Sequence, residues 1–244
     1  MPTLDRTGRR LHNSTTPSNT TSSAVRLGVP MEMPTEPLSA ALASMTSAYP
    51  NNVVEVRHMS SAAQIRALRN GNRDLGLVRE RPTDESLDTS AVFVEPLGVL
   101  VSNETAHVLG CENGAIRLDG LAGMQWVGFP RDGSAAWYDE VTSSILRSHG
   151  ADTGPMQSHT QDVIPEVKLT AVSATGKFAL APGNWHRSLP PSIHWHPLDG
   201  YSLIRRTWVM WPSASQRRDV GHLIAKLEDV VNAADSRAHH APRT

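Results

Sequence analysis

The chain has 244 residues, 39% of them hydrophobic, and a formal net charge of −1. That is enough for one large or two small domains with a real core, and it lacks the basic excess that would mark nucleic acid or an anionic membrane as a partner of the whole surface. No stretch approaches the roughly 20 apolar residues of a membrane span, and the polar, basic amino terminus is unlike a secretory signal, so a cytoplasmic location with no membrane partner is expected. The single cysteine, Cys111, cannot form an internal disulfide and has no spacing partner for zinc.

Residues 1–24 carry little apolar pattern beyond Leu4 and Leu11, and His12 to Ser23 is mostly Ser, Thr and Asn, a linker composition. From Val25 the pattern changes. Val25 to Val29 reads as a strand, followed by a helix with Leu38, Ala41, Leu42 and Met45 on one face. A β-branched run, Val53 to Val56, leads to a second helix that Ser61 and Gln64 would open as a capping box, with Ala62, Ile65 and Leu68 inward. Gly71 ends it before a strand at Leu75 to Val78. This is a βαβαβ unit. Two further runs, Val92 to Val94 and Leu97 to Val101, are separated by Pro96, and the second can leave the first unit as a crossing strand.

A second unit repeats the order. Met124 to Phe129 reads as a strand, and Ser134 caps a helix that turns Trp137 or Tyr138, Val141 and Ile145 inward. A short run at Met156 to Ser158 precedes a helix capped by Asp162, with Val163, Val167, Ala171 and Ala174 on one face, and a strand at Phe178 to Ala181. Leu203 to Trp211 then returns to the first unit, and a final amphipathic helix carries Val220, Leu223, Ile224, Leu227, Val230 and Val231. The expected fold class is α/β and bilobal: two Rossmann-like subdomains joined by two crossing strands, with a ligand cleft at the strand ends. The expected division is a linker over 1–24, a first lobe over 25–98 plus 203–234, a second over 99–202, and a flexible tail over 235–244.

The stretches VRLGVP, ALASMTSAYPNNVVEVRHMSSAAQIRALRNGNRDLGLVR, EPLGVLVS, GFPRDGSAAWYDEV and KFALAP are similar to the effector-binding domain of LysR-type transcriptional regulators. The resemblance covers about 25–231 and implies the type 2 periplasmic-binding-protein-like fold, a small-molecule effector, and a role in regulating transcription. One departure lies before Pro182, where the family usually has two glycines flanking one residue and this chain has Gly176 beside Lys177. The family also places a winged helix-turn-helix ahead of this domain. Thr3 to Ser14 resembles the segment that follows the recognition helix, so specific DNA binding is expected only through a helix-turn-helix that is missing here or supplied by a partner.

Four loops should face the cleft: Pro30 to Glu36, Met59 to Ser61, Pro130 to Ser134 and His159 to Asp162. Helix starts there would direct N–H groups at an anion, which favours a small organic acid. The resemblance places Ser60, Ser61, Arg79, Arg131, Ser134 and Thr160 near the effector, and Thr35 in the first loop joins them as a candidate contact. Their hydroxyls and guanidinium groups suit a carboxylate. Each serine could equally be a plain helix cap.

His194 and His196 share one strand face with His186 near in sequence, but a zinc site would require more ligands held together, so no metal is expected. No cofactor and no catalytic residue are expected either, because no nucleophile elbow, P-loop or dinucleotide fingerprint is present. The partners implied are an organic acid and a second chain, as a homodimer or a heterodimer with a full-length relative. A stand-alone solute receptor of a transporter, or an enzyme on the same bilobal fold, is the alternative function.

Overall fold

The computed structural model describes residues 23–83, 85–111, 114–149, 164–183, 189–200 and 203–240. The first βαβαβ unit forms as the periodicity requires: β1 (Ala24–Val29), α1 (Thr35–Ala48), β2 (Val53–His58), α2 (Ser61–Arg69) and β3 (Leu75–Val78). β1 lies between β2 and β3 and pairs with both in parallel. The cap of α2 is one residue earlier than the spacing suggests. Ser60 accepts the Ala63 N–H at 3.3 Å, whereas Ser61 Oγ accepts the Arg79 N–H at 3.0 Å. Gln64 does not close a capping box either. Its amide donates to the Met59 carbonyl at 2.9 Å and its side chain lies over Gly28 and Gly76 of two adjacent strands. A Cβ at either glycine would fall 2.8 Å from Gln64 Oε1, so both positions must be bare for α2 to lie this close to the sheet.

Next comes β4 (Leu87–Ser102), a single strand where the sequence suggests two. Its first part pairs with β9 and its last part with β7 and β8. Pro96 falls at the exchange of partners, where its missing N–H interrupts no continuing ladder. The chain continues through α3 (Asn103–Val108), β5 (Ile116–Arg117), β6 (Gln125–Trp126), α4 (Ala135–His149), α5 (Pro165–Val172), β7 (Lys177–Pro182), β8 (Ile193–Asp199), β9 (Ile204–Pro212) and α6 (Arg218–His240). α3 and β5 have no counterpart in the sequence reading, and the strand expected over Met124 to Phe129 shortens to β6.

The strand order is β2-β1-β3-β9-β4-β7-β6, with β8 pairing β4 and β5. β9 runs antiparallel between β3 and β4, so the chain leaves the first subdomain along β4 and returns into it along β9. Each subdomain has buried clusters of its own, and the largest of each shows the packing. In one, Val25, Leu27, Met45, Leu77 and Val209 pack under Val220, Leu223 and Leu227 of α6; in the other, Val99, Val101, Leu121, Ile145 and Phe178 pack together. The final helix thus closes the first subdomain, as its stripe implies, although the helix extends to His240 rather than ending near 234.

Helix α5 departs most from expectation. Val167 is 51% exposed, and the buried face carries Pro165, Lys168 and Val172. Asp162, Val163 and the run Met156 to Ser158 lie outside the described residues. Among the described residues no helix is long and apolar enough to cross a membrane, and no group of three or more His, Cys, Asp or Glu could hold a metal ion. His194 and His196 stack with ring centroids 6.2 Å apart, and His196 Nδ1 lies 2.9 Å from the Gly114 carbonyl; His186 is outside the described residues.

Candidate effector cleft

A cavity of about 130 Å³ lies between the two subdomains, where the carboxyl ends of β1 and β2, the end of β3 and the segment after β6 converge. Its second-subdomain wall is largely aromatic and aliphatic, with Trp126, Phe129, Trp137 and Leu180. Its first-subdomain side is built from Pro30 to Glu32 and His58 to Ser61. Charged side chains form the floor.

Arg79, at the end of β3, and Arg205, on β9, are 7% and 6% exposed, and Glu95 on β4 is 5% exposed. Glu95 Oε2 lies 3.1 Å from Arg205 Nε and 3.5 Å from Arg79 Nη1. Glu32 completes the network from the β1–α1 loop. Its carboxylate accepts from Arg205 Nη1 at 3.0 Å and from Lys168 Nζ of α5, and its carbonyl accepts from both Arg79 Nη2 at 3.1 Å and Arg205 Nη2 at 2.9 Å. Arg79 also donates to the Met31 carbonyl at 3.0 Å and to the Thr207 hydroxyl. To present carbonyl and carboxylate together, Glu32 takes φ of 57°, the left-handed region that a residue with a Cβ adopts only when its surroundings hold it there.

The electrostatics follow from burial and proximity. Burial alone would raise the Glu32 pKa, but Lys168 and Arg205 outweigh it and hold the carboxyl at about 2. Burial, reinforced by Arg205, pulls the Arg79 guanidinium down to about 9 against the opposing pull of Glu95 and Glu32. Both groups are charged at neutral pH. The Glu32–Lys168 pair also ties the loop after β1 to α5 of the other subdomain. A second tie lies at the rim, where Glu80 Oε2 accepts the Ala136 N–H of α4 at 3.0 Å.

Of the residues expected near an effector, Ser60, Ser61, Arg79 and Ser134 line the cavity. Ser60 and Ser61 are already engaged by backbone N–H groups. Ser134 is 6% exposed, and its Oγ makes no hydrogen bond at the start of α4, so it does not act as the cap the sequence suggests. The indole N–H of Trp126 is likewise buried without a partner. Thr35 is exposed on the first turn of α1 and does not line the cavity. The guanidinium of Arg131 is bound by Asp139 at 2.7 and 2.8 Å, with its side chain 59% exposed, also outside the lining. Thr160 lies outside the described residues.

Helix N-termini contribute less than expected, because Ser60 and Glu80 occupy N–H groups at the starts of α2 and α4. The sequence reading missed Glu32, Glu95, Lys168 and Arg205. Their signal is a charged residue inside an apolar run, as in FVEPLGVLV around Glu95 and VKL around Lys168.

The chain matches the LysR substrate binding domain over residues 18–232. Its sequence is 25% identical over 165 residues to an uncharacterized HTH-type transcriptional regulator, YnfL of Escherichia coli strain K12, covering 67% of this chain and 53% of the relative. The chain thus spans about half the length of that relative. In structure it is similar to the effector binding domain of a BenM variant, with a TM-score of 0.73 at 18% identity, covering 88% of this chain and 97% of the other. It is also similar to the BenM effector binding domain with its effector benzoate, with a TM-score of 0.70 at 18% identity, covering 91% and 96% of the two chains. These likenesses are of fold, and they agree with a bilobal, periplasmic-binding-protein-like architecture. With the family match extending over most of its length, the chain belongs to the LysR substrate binding domain family.

Proposed function

We propose that this protein is the effector-sensing part of a LysR-type transcriptional regulator and binds a small organic carboxylate in the cleft between its subdomains. The observation that carries the reading is the buried, unpartnered hydroxyl of Ser134 in a cavity floored by Arg79, Lys168 and Arg205. A buried polar group without a partner costs free energy unless something supplies its hydrogen bond, and a ligand oxygen does so here. The cavity volume of about 130 Å³ suits one ring or a short chain, since an engineered apolar cavity of roughly 150 Å³ accepts benzene. Benzoate, the effector held by the structurally similar BenM domain, is a ligand of that size and charge.

Ser60, Ser61, Arg79 and Ser134 are the proposed contacts on the cavity lining, and Thr35, Arg131 and Thr160 are the further contacts proposed from the sequence. The lobes are taken as 25–98 plus 203–234 and 99–202. The regulator acts in the cytoplasm as a dimer, either of identical chains or with a full-length relative. Exposed apolar residues on β2 (Val53, Val56) and α4 (Leu146) support a pairing face there. Promoter recognition comes from a helix-turn-helix on the same or a partner polypeptide.

The test is a thermal-shift screen of small carboxylates at millimolar concentration against the wild type and Ser134→Ala. Mass action predicts a rise of Tm with the acids and a clearly smaller rise for the variant. No shift with any acid, or identical shifts in both proteins, contradicts the assignment.

A further inference from the structure

We infer that the effector carries, besides its carboxylate, a neutral hydrogen-bond acceptor such as a hydroxyl or keto oxygen, and that the indole N–H of Trp126 recognises it. The inference rests on the effector-binding reading above and deepens it. Trp126 lines the cavity and is 3% exposed. Its Nε1 and Ser134 Oγ are the two buried polar atoms of the lining that find no hydrogen-bond partner among the described residues.

The two atoms make different demands. A serine hydroxyl turns to donate or to accept, so many polar groups satisfy it; an indole nitrogen only donates, in the plane of its ring, and is satisfied by an acceptor alone. Leaving such a donor buried and unpaired costs free energy that a ligand oxygen recovers.

Packing fixes the ring that carries this donor. A Cβ on Gly128 would lie 2.6 Å from Cζ3, 2.7 Å from Cη2 and 2.8 Å from Cε3 of the indole, so the benzo edge fills the space that a bare Gly128 leaves. Nε1 belongs to the opposite edge of the bicycle. Phe129 meets the indole edge-on at 5.7 Å between ring centroids, and Tyr138 of α4 lies tilted against it at 5.8 Å.

These neighbours also decide the charge of the acceptor. None of the three is ionic, whereas Arg79 and Arg205 of the charged floor stand just after β3 and on β9. In the effector-binding reading the carboxylate sits over that floor. A second carboxylate at the Trp126 wall would be buried among aromatic rings without a counter-charge, which is costly. The cavity volume of about 130 Å³ limits the acceptor further, to a single small group.

Calorimetric titration with 2-, 3- and 4-hydroxybenzoate, each against the methylbenzoate of the same substitution pattern, tests this, because hydroxyl and methyl are alike in size. Wild type is expected to bind at least one hydroxybenzoate about tenfold more tightly than its methyl counterpart, the effect of pairing one buried donor. The matching aminobenzoate, whose amino group donates but accepts poorly, brings no such gain. In Trp126→Phe benzoate still binds, and the hydroxyl-over-methyl preference disappears. If that variant fails to fold, the wild-type indole spectrum decides. The Trp126 N–H proton, assigned through its contacts with Phe129 and Tyr138, moves downfield on saturation with the preferred hydroxybenzoate and not with its methyl counterpart.

Methylbenzoates binding as tightly as all three hydroxybenzoates, or an equal gain from the amino group, overturns the inference and leaves the effector-binding reading standing. So does a hydroxyl preference that survives in Trp126→Phe, or a Trp126 proton that responds alike to hydroxyl and methyl probes. Binding of neither benzoate nor any substituted probe to wild type overturns both.

Discussion

Glu32 is the residue on which the cleft depends most, and its acid–base behaviour makes that measurable. Its carboxyl is held at about 2 in the folded protein against 4.5 as the ordinary value. A lowered carboxyl pKa stabilises the fold above the unfolded value and loses that contribution as pH falls toward the folded one. Wild type should therefore lose stability progressively between pH about 4.5 and about 2, and Glu32→Gln should lack that component. At neutral pH the variant should be destabilised by about 3 kcal/mol, because Lys168 and Arg205 lose a buried partner. Urea denaturation of both proteins at pH 7 and pH 3 reads both effects; equal pH dependence would remove Glu32 from the account. Ser134→Ala is expected to go the other way, leaving stability unchanged or slightly raised, since the hydroxyl it removes has no partner in the fold.

At the scale of elements, the most sensitive contact is α2 on the glycines of β1 and β3. Gly28→Ala brings a Cβ to 2.8 Å from Gln64 Oε1 and 2.9 Å from its Cδ and Cγ, so the helix or the side chain must shift. A cost of about 1–3 kcal/mol is expected. Because Gln64 also holds the Met59 carbonyl, the β2–α2 loop moves with it, and Ser60 and Ser61 lose their place on the cleft wall. Ser60→Ala is expected to cost about 1 kcal/mol through the lost cap at Ala63. Thermal denaturation of the two variants checks the order; Ser60→Ala proving the more harmful would contradict this placement of α2.

The elements that sequence reading recovered are those whose apolar spacing is long and regular. The order β1, α1, β2, α2, β3 and the stripe of α6 at Val220, Leu223 and Leu227 are of this kind. The reading failed where tertiary pairing decides. Pro96 signals a break, yet it sits where one long strand changes neighbours. In α5 the apolar Val167 faces outward and the buried position goes to Lys168, whose charge is satisfied by Glu32 from a loop 136 residues away. Periodicity scores charged residues as surface, so all of the charged network except Arg79 was invisible to it. Ser60, Ser61 and Ser134 were legible as cleft residues because they stand in loops that lead into helices, and Arg79 through the family resemblance. Whether each caps a helix or faces a ligand depends on partners that only the fold supplies.

For the whole molecule, the two subdomains are joined through β4 and β9 and tied across the cleft by Glu32–Lys168 and by Glu80 on α4. A ligand held on this floor touches both sides at once, so binding and the relative placement of the lobes are coupled. The 244-residue chain alone should show no sequence-selective DNA binding at physiological salt. Its net charge is −1, and each α-helix of its described residues buries side chains in a subdomain core. An anisotropy titration with selective, salt-resistant binding would contradict this.

The measurement that bears most directly on the effector-binding claim is the two-dimensional ¹H–¹⁵N spectrum of the tryptophan indoles during titration with benzoate, salicylate and cyclohexanecarboxylate, with Trp126→Phe and Trp137→Phe for assignment. Trp126 and Trp137 line the cleft, while Trp211 packs against the core of the first subdomain. The account predicts saturable shifts of the Trp126 and Trp137 signals with at least one acid, strongest at the unpartnered Trp126 indole, and a nearly unmoved Trp211. Indole signals at Trp126 and Trp137 that stay fixed with all three acids, or that move no more than Trp211, would contradict it.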